Sequence, residues 1–315
     1  MLKVGLVGVG GISSTHTKVW QNLSDCELVA LCDIRPERME RYENVKKYTS
    51  FDEMIEKEEL DIIDICLPTY LHADYAIKAM EKKINVICEK PISLKYEDVD
   101  RVYSCAERNG VCFMIAHVLR FWPEFEFIKE LYDNKKYGKL LSGSMSRLGT
   151  FPGWSWDGWM NDEKRCGLVP YDLHIHDLDF LVYAFGAPKN MICNRSKLPD
   201  QDYFNCVYEF DNFFVTAEAA WYASPYPFAA FFRFQFENAV ISTEKGPLTV
   251  YERGGKTYCP FDSDQGVDEE NPGIPKSNAY GNEIIYFVDC VKKGEKADKV
   301  KPEELKTVIN LLNKI

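Results

Sequence analysis

Apolar and polar positions divide the first 120 residues into short apolar runs separated by helical patterns. The runs are nearly continuous, which is typical of strands that a parallel sheet buries on both faces. The predicted strands are LKVGLVG, CELVALCD, a short stretch near residues 45–48, DIIDICL, NVICE and VCFMIA. The predicted helices are 13–23, a short one after Pro36, one opened by the capping-box pattern Ser50-Phe51-Asp52-Glu53, 73–82 and 96–109. This alternation predicts a doubly wound α/β domain over residues 1–120, which binds ligands at the carboxyl ends of its strands.

The hydrophobic pattern changes after Arg120, where longer strands with turn signals replace the regular alternation. The elements predicted here are a helix over 123–134, a strand over 140–147, a helix that contains DLHIHDLD (172–179) and ends at Gly186, several strands over 203–253, and helices near 278–293 and 303–315. The pattern predicts a second, α+β domain over residues 121–315, built on an open and largely antiparallel sheet. Its last helix is free to pack back on the first domain.

Composition limits the kind of protein further. A length of 315 residues suits two domains, and 46% hydrophobic with 28% charged residues is typical of a globular protein. The net charge of −11 argues against nucleic acid and anionic membranes as partners, because both repel an acidic surface. We interpret the amino-terminal MLKVGLVGVGGIS as the first strand and not as a signal peptide, since it has no small-residue cleavage motif, and we expect a cytoplasmic protein.

Eleven cysteines are scattered between Cys26 and Cys290, and no two of them form a C-x-x-C motif. Several lie inside apolar strands, where a free cysteine behaves as a small hydrophobic residue. We therefore expect reduced thiols, as in a cytosolic protein.

A glycine-rich segment, Gly8-Val9-Gly10-Gly11-Ile12-Ser13, follows the first predicted strand and opens the first helix. In a dinucleotide-binding fold the first glycine makes a tight turn, and the second lets the backbone approach the pyrophosphate at the helix N-terminus. Ser13 stands at the third-glycine position and is small enough for close packing. Asp33, at the end of the second strand, is placed to bind the ribose hydroxyls and to repel a 2′-phosphate. Arg35 could bind such a phosphate or stack on the adenine, so NAD is expected and NADP is the less favoured alternative.

The segment DLHIHDLD contains two of the chain's five histidines, which leaves three alternatives: a metal site, an acid–base pair and a polar structural helix. Helical positions four residues apart differ by about 40°, so Asp172 and His176 share a face, and Asp179 joins them. His174 and Asp177 lie elsewhere on the helix. A zinc site would need further ligands, and the remaining histidines all fall in the first domain, so no metal is expected.

Four segments resemble the motifs of one known family. Cys88-Glu89-Lys90-Pro91, directly after a predicted parallel strand, resembles the E-K-P motif of the glucose–fructose oxidoreductase and myo-inositol dehydrogenase family, called Gfo/Idh/MocA. Leu67-Pro68-Thr69-Tyr70-Leu71-His72 and the glycine segment are similar to other motifs of that family. Asp172 and His176 match its D-x-x-x-H motif. These matches follow the family's order over most of the chain, and they imply that the first domain is a Rossmann domain.

The resemblance also implies roles for the matched residues. In the family, the counterpart of His176 is the base that takes the hydroxyl proton, and the counterpart of Lys90 lies beside the nicotinamide and contacts cofactor and substrate. The counterpart of Asp172 orients the substrate or the histidine. Oxidation of a secondary alcohol by hydride transfer needs such a base and a positive charge near the oxygen. The hypothesis is that Lys90, Asp172 and His176 form this constellation across the cleft between the domains.

The candidate binding residues follow from these motifs and from nearby aromatic side chains. The expected cofactor-binding residues are Gly8, Gly10, Gly11, Ile12, Asp33, Arg35, Leu67, Pro68, Thr69, His72, Glu89, Lys90 and His117. The expected substrate-binding residues are Lys90, Arg120, Trp159, Asp172, His176 and Tyr280. Aromatic faces pack on the C–H faces of sugar rings. Trp154 and Trp156 lie on the same loop as Trp159, and each of these tryptophans could equally be a core residue.

Two departures from the family pattern concern the substrate. A single glycine stands in Cys166-Gly167-Leu168, where members often have two or three. The segment His117-Val118-Leu119-Arg120-Phe121-Trp122 lacks the two adjacent arginines that many members carry. The fold and cofactor expectations are unaffected, whereas the substrate, myo-inositol included, stays open.

The resemblance implies an NAD-dependent oxidoreductase that moves a hydride between a secondary hydroxyl of a sugar, inositol or related polyol and the nicotinamide. One alternative is a redox-neutral elimination or glycoside cleavage that uses bound NAD transiently. A second is a non-catalytic regulator that senses NAD or a sugar, although such proteins tend to lose the lysine or histidine that is present here. Relatives are commonly dimers or tetramers joined through the open face of the second sheet, and the aromatic stretches YFNCVYEF and FAAFFRFQF are consistent with a homodimer or homotetramer.

Overall fold

The computed structural model describes residues 1–261 and 278–315. The first 118 residues alternate strands with helices. The strands are β1 (Leu2–Val7), β2 (Cys26–Cys32), β3 (Lys46–Tyr48), β4 (Ile62–Ile65), β5 (Asn85–Glu89) and β6 (Phe113–Ala116). The helices are α1 (Ser13–Asn22), α2 (Phe51–Lys57), α3 (His72–Glu81) and α4 (Tyr96–Asn109), with short 3-10 turns at Pro36–Met39 and Thr69–Leu71. The order of these elements confirms the predicted α/β alternation.

The six strands form a parallel sheet in the order β3-β2-β1-β4-β5-β6. This is the strand order of a Rossmann domain, in which the chain leaves β1 in one direction and later returns to its other side at β4. Both faces of the sheet are covered, and every residue of β4 is buried. Two helix ends have the caps that their residue types favour. Ser50 Oγ accepts the Glu53 N–H at 3.3 Å at the start of α2, and Gly110 ends α4 in the left-handed conformation.

The remaining elements begin with helices that frame a second sheet. The helices are α5 (Pro123–Asn134), α6 (Glu163–Cys166) and α7 (Ile175–Phe185), with 3-10 turns at Val118–Phe121 and Trp156–Asn161 and a π turn at Pro170–His174. The strands are β7 (Leu140–Thr150), β8 (Asn190–Leu198), β9 (Gln201–Glu209), β10 (Phe214–Tyr222), β11 (Ala229–Phe236), β12 (Ala239–Ser242), β13 (Thr249–Glu252) and β14 (Thr257–Tyr258). Two helices complete the described chain, α8 (Ala279–Lys293) and α9 (Pro302–Leu312).

The second sheet has the order β14-β13-β12-β11-β7-β10-β9-β8 in the described part of the chain. All neighbouring strands are antiparallel except β7 and β10, which are parallel, so the predicted open and largely antiparallel sheet is confirmed. The sequence pattern does not predict β8. Its segment NMICNRSKL is mostly polar, because β8 is an edge strand whose residues are exposed or half-buried.

The chain divides into two compact units, which differ from the predicted domains. Unit 1 contains residues 1–118 and 279–306, and unit 2 contains residues 119–278 and 307–315. The predicted second domain, 121–315, therefore loses α8 and the first part of α9 to unit 1. The physical reason is that α8 contacts α1 and β5 within unit 1. Hydrophobic periodicity shows that a helix has an apolar face, but it does not show which distant segment of the chain that face packs against.

One face of the second sheet buries aromatic side chains in the core of unit 2. Strand residues alternate between the two faces of a sheet, and the aromatic residues on one face are buried. These residues are Phe204, Tyr208, Phe232, Phe234 and Phe236. The internal core thus explains one face of the aromatic stretches of β9 and β11, and the subunit interface stays a prediction.

Two cysteines form a disulfide. Cys193 of β8 and Cys206 of β9 lie opposite each other in the antiparallel register and are bonded. The expectation that all eleven thiols are reduced is therefore wrong for this pair. The other nine cysteines are free, and eight of them are buried. The pairing depends on the register of a strand that the sequence pattern does not reveal.

Among the described residues, no helix combines the length and apolar character needed to cross a bilayer.

Candidate cofactor and active-site residues

The turn after β1 can be formed only by glycine at its first position. Gly8 has a φ of +89°, and a Cβ at this residue would lie 2.5 Å from the Cys66 carbonyl oxygen. The glycine therefore allows the backbone to turn between β1 and the segment after β4. This is the tight turn predicted for the start of the glycine-rich segment.

The next glycines leave open space at the start of α1. A Cβ added to Gly10 or Gly11 would meet no atom within 4 Å. Ser13 is buried at the first position of α1, and its hydroxyl donates to the Gly10 carbonyl at 2.8 Å. Open space beside glycine backbone at the N-terminus of a ten-residue helix fits the pyrophosphate of a dinucleotide. Ile12 immediately precedes the helix and is half-buried.

Asp33 holds the glycine segment from the end of β2. Its carboxylate accepts the Val9 N–H and the Arg35 N–H, each at 2.8 Å. The side chain of Arg35 approaches the same carboxylate, with Nε 3.5 Å from Oδ1. A carboxylate has more lone pairs than these contacts use, so it can still accept ribose hydroxyls. Asp33 is therefore both a support for the loop and a candidate ribose ligand.

The other predicted cofactor residues lie at the carboxyl ends of neighbouring strands. The segment Leu67-Pro68-Thr69 follows β4, Glu89 and Lys90 end β5, and His117 follows β6. Since β1, β4, β5 and β6 are consecutive in the sheet, these residues share the edge at which Rossmann domains bind ligands. Lys90 is half-buried, and its backbone N–H donates to Glu89 Oε2 at 3.1 Å.

A buried histidine of α1, which the sequence motifs do not single out, contacts this edge. His16 Nδ1 lies 2.9 Å from Asp64 Oδ2, and His16 Nε2 lies 3.1 Å from Glu89 Oε1. Trp20 Nε1 donates to Asp64 Oδ2 at 2.6 Å. Burial disfavours the charged ring, but the charges of Asp64 and Cys66 and the hydrogen bonds with them together outweigh burial and raise the pKa of His16 well above its ordinary value. A polar residue within the apolar run DIIDIC is the one sequence signal that could have revealed this network.

His16, Asp64 and Cys66 are also the group of three potential metal ligands found within residues 1–261 and 278–315. Asp64 already accepts from His16 and Trp20, and the Cys66 thiol donates to Asp64 Oδ1 at 3.6 Å. Burial raises the pKa of Cys66 to about 12, which disfavours the thiolate that a metal would need. We interpret the group as a hydrogen-bond network.

His72, predicted as a cofactor residue, is enclosed by backbone. Its Nδ1 lies 2.6 Å from the Pro91 carbonyl oxygen, and its Nε2 lies 2.7 Å from the Leu67 carbonyl oxygen. Burial lowers the pKa of His72, and the two carbonyls oppose that shift. The ring therefore joins the segment after β4 to the segment after β5.

In unit 2, three of the five polar side chains of DLHIHDLD serve the fold. Asp177 receives a two-point ion pair from Arg147, at 3.2 and 2.8 Å. Asp179 receives one from Arg120, whose guanidinium is fully buried and lies over the Tyr183 ring at 4.8 Å. Asp179 was predicted to share a helix face with Asp172 and His176, and it is buried against Arg120 whereas those two are half-buried.

His174 is the third of these side chains. Its Nε2 lies 2.5 Å from the Tyr208 hydroxyl, and its ring packs edge-on against Phe204. Burial, helped by the charge of Arg147, lowers the pKa of His174 to about 3. The ring is therefore neutral at physiological pH.

Asp172 and His176 are the two polar side chains of the segment that are half-buried. Asp172 lies in the π turn Pro170–His174, and His176 lies in the first turn of α7. The regular α-helical spacing assumed for the pair is thus interrupted by a π turn. Such turns are frequent at functional sites. In this segment His174, Asp177 and Asp179 support the fold, and Asp172 and His176 stay the candidates for chemistry.

The predicted sugar-contacting aromatics differ in exposure. Trp154 is 77% exposed, whereas Trp159 is half-buried in the 3-10 turn that follows. Tyr280, at the start of α8, lies beside His16 with the ring centres 6.0 Å apart. Trp159 belongs to unit 2 and Tyr280 to unit 1.

A parallel sheet with a glycine-rich loop at its edge is typical of NAD-binding oxidoreductases, and comparison with known proteins gives the same result. Residues 2–117 match a family model described as an oxidoreductase family with an NAD-binding Rossmann fold. Residues 125–247 match the GFO/IDH/MocA C-terminal domain. The two matches together span most of the chain. The chain belongs to the Gfo/Idh/MocA oxidoreductase family.

Individual relatives have different activities. A 2,7-anhydro-N-acetylneuraminate hydratase from Mediterraneibacter gnavus is 29% identical over 185 residues, 58% of this chain and 49% of that protein. A myo-inositol 2-dehydrogenase from Thermotoga maritima is 27% identical over 206 residues, 64% of this chain and 60% of that protein. The chain thus spans about half the length of the curated relatives it matches. A levoglucosan dehydrogenase in complex with NADH and levoglucosan has the same fold, with a TM-score of 0.80 and 18% identity over 99% of this chain and 95% of that one.

Proposed function

We propose that the protein is an NAD-dependent dehydrogenase that oxidises a secondary hydroxyl of a sugar, inositol or related polyol, or reduces the corresponding ketone. The observation that carries the proposal is the position of Lys90. It directly follows β5, at the sheet edge that also holds the glycine-rich segment. A lysine at this place can interact with a substrate oxygen beside the cofactor. The relatives include a myo-inositol dehydrogenase and a levoglucosan dehydrogenase.

In this proposal each residue has one task. NAD, when bound, accepts the hydride from the carbinol carbon. His176 takes the hydroxyl proton, and the Lys90 ammonium stabilises the negative charge that grows on the oxygen as the proton leaves. Asp172 orients the substrate or His176. Arg120 is held by Asp179, so its predicted contact with substrate would have to be made around that ion pair.

The cofactor proposal is NAD in preference to NADP. Asp33 is buried, and backbone N–H groups on two sides hold its carboxylate at the end of β2. A fixed carboxylate accepts hydrogen bonds from ribose hydroxyls and repels a 2′-phosphate. Arg35 is engaged with Asp33, which leaves it less suited to bind a phosphate.

A second candidate is a redox-neutral reaction in which bound NAD removes and returns a hydride. The hydratase relative favours this candidate. It would use the same lysine, histidine and aspartate, so the site geometry does not separate it from net oxidation. Bound NAD that survives purification, together with substrate loss and no reduced nicotinamide, would identify it.

We also propose that the chain forms a homodimer or homotetramer through the open face of the second sheet and that it is cytoplasmic. Exposed apolar side chains on that face support the interface, namely Ile192, Leu198 and Phe214. The free cysteines support a reducing compartment, whereas the disulfide opposes it. Light scattering of wild type and Phe214→Glu tests the interface, and an unchanged mass would contradict it.

The proposed activity is tested with NAD or NADP and separate sugars, inositols and anhydrosugars, following the absorbance of reduced nicotinamide. Lys90→Met and His176→Ala should each lower kcat/KM by roughly 10²–10⁴-fold, the usual contribution of a positioned acid or base. Lys82→Met is the matched control, because Lys82 is an exposed lysine of the same unit, at the end of α3. Near-wild-type kcat/KM in both site variants would show that the assignment is wrong.

A further inference from the structure

Lys90, the lysine of the proposed reaction, lies in the chain between Glu89 and Pro91. Each of these two neighbours contacts a buried histidine. On one side, Glu89 Oε1 lies 3.1 Å from His16 Nε2. On the other side, the Pro91 carbonyl oxygen lies 2.6 Å from His72 Nδ1. Lys90 is the single residue between these two contacts. Its neighbours are buried, while Lys90 itself is half-buried.

Each histidine is also fixed at its second nitrogen. His16 Nδ1 lies 2.9 Å from Asp64 Oδ2, and His72 Nε2 lies 2.7 Å from the Leu67 carbonyl oxygen. Both partners of His16 are carboxylates, which accept and do not donate when ionised, so a doubly protonated ring satisfies both. The raised pKa of His16 and the pKa of Glu89, which His16 lowers against the effect of burial, agree with this charged state.

The two rings connect Lys90 to the segments that would hold the cofactor. His16 lies on α1, which begins at the glycine-rich segment, and His72 opens α3, which follows the segment after β4. Both helices pack in unit 1. The contacts therefore run from two cofactor segments to the two neighbours of one lysine.

We propose that His16 and His72 are positioning residues that clamp the Glu89–Pro91 turn from both sides and so fix Lys90. The inference rests on the proposed function, because Lys90 is the group that the clamp serves. A shift of about 1 Å in a reacting group costs on the order of 10²-fold in rate. Loss of either clamp contact should therefore lower kcat with a smaller effect on NADH binding.

Asparagine and glutamine test the clamp with opposite expectations at the two positions. The amide nitrogen of asparagine comes near the place of Nδ1, and that of glutamine comes near the place of Nε2. The contact to the turn uses Nε2 in His16 and Nδ1 in His72. We expect His16→Gln and His72→Asn to keep kcat within about threefold, and His16→Asn and His72→Gln to lose on the order of 10²-fold.

A readout without substrate separates this inference from the proposed activity. The rate at which an amine reagent labels Lys90, followed by peptide mass spectrometry, should rise in His16→Asn and His72→Gln and stay near wild type in their partners. His174→Asn and His174→Gln replace a buried histidine of unit 2 and should leave the labelling of Lys90 unchanged. Thermal melting of every variant measures the general cost of replacing a buried ring.

The crossed order decides the outcome. The clamp is supported if Lys90 is labelled faster in His16→Asn than in His16→Gln and slower in His72→Asn than in His72→Gln. This holds even if no compound in the panel is oxidised. The same order at both positions, or labelling rates that follow only the melting temperatures, would overturn it. If one pair of variants does not fold, the order within the other pair decides.

Discussion

Arg120 and Asp179 form a fully buried two-point ion pair, with Nε 2.8 Å from Oδ2 and Nη2 2.6 Å from Oδ1. The pair joins the turn before α5 to the middle of α7 within unit 2. Buried charges are costly to desolvate, so each one depends on its partner. The pair therefore holds α7, and with it His176, in place.

Removal of one member of this pair should strongly destabilise unit 2. Asp179→Asn leaves the Arg120 charge buried without a counter-charge, and we expect a loss of about 3–5 kcal/mol in the free energy of unfolding. Replacement of both residues, as Arg120→Met with Asp179→Leu, should recover much of this loss. Urea unfolding measures both variants. A loss below about 1 kcal/mol in Asp179→Asn would contradict the expected cost of an unpaired buried charge.

His174 should make the protein less stable as the pH falls. Burial lowers its pKa to about 3 in the folded state, whereas the unfolded chain has the ordinary value near 6.5. Between these values the unfolded state binds the extra proton, so the stability that the neutral ring contributes is present above about pH 6.5 and is lost on acidification. From pH 7 to 5 this loss should be about 2 kcal/mol.

The comparison of wild type with His174→Gln isolates this effect, because other groups titrate in both proteins. The difference in unfolding free energy between the two should change with pH by the amount expected for one proton. A difference that is independent of pH would show that His174 is not held neutral.

His16 should show the opposite sign. Its pKa is raised in the folded state, so its contribution is fully present below about pH 6.5 and is lost as the pH rises through the folded value. The stability difference between wild type and His16→Gln should therefore shrink from pH 6 to pH 9. Chemical denaturation at several pH values measures it, and a difference that grows over this range would contradict a charged His16.

Asp33 should control both affinity and cofactor preference. Asp33→Ala removes the acceptor of the Val9 and Arg35 N–H groups together with the charge that repels a 2′-phosphate. Each hydrogen bond to a charged group contributes about 1.5–3 kcal/mol, so NAD affinity should fall by at least tenfold. The preference for NAD over NADP should fall as well. Equilibrium titrations with both cofactors measure the ratio, and an unchanged ratio would remove Asp33 from the proposed discrimination.

The disulfide predicts a definite thiol count. Unfolded, unreduced protein should expose nine reactive thiols, and reduction should raise the number to eleven. The bond closes a loop between residues thirteen apart, so Cys193→Ser with Cys206→Ser should cost about 3 kcal/mol in the chain-entropy model. Thiol titration and urea unfolding test these two statements separately. Eleven thiols without reduction would show that the pair is reduced in the purified protein.

The candidate site was only partly visible in the sequence. The glycine-rich segment and the E-K-P and D-x-x-x-H motifs indicate Gly8, Lys90 and His176 as candidates, because those residue types recur at fixed places beside a strand or in a helix. His16 carries no such local signal, and Asp64 shows only as a polar residue within the apolar run DIIDIC. Their contacts to each other and to Glu89 join three elements that are distant in the chain.

The sequence by itself determined the local elements of this protein. Apolar runs, the Ser50 cap and the Gly110 stop specify strands and helices through interactions between near neighbours, and their order selects a parallel sheet for residues 1–118. Only the tertiary structure decided which polar groups are enclosed together. The tertiary structure also pairs Asp179 with Arg120, bonds Cys193 to Cys206 and packs α8 within unit 1. Each of these contacts depends on burial or strand register between segments that are distant in the chain.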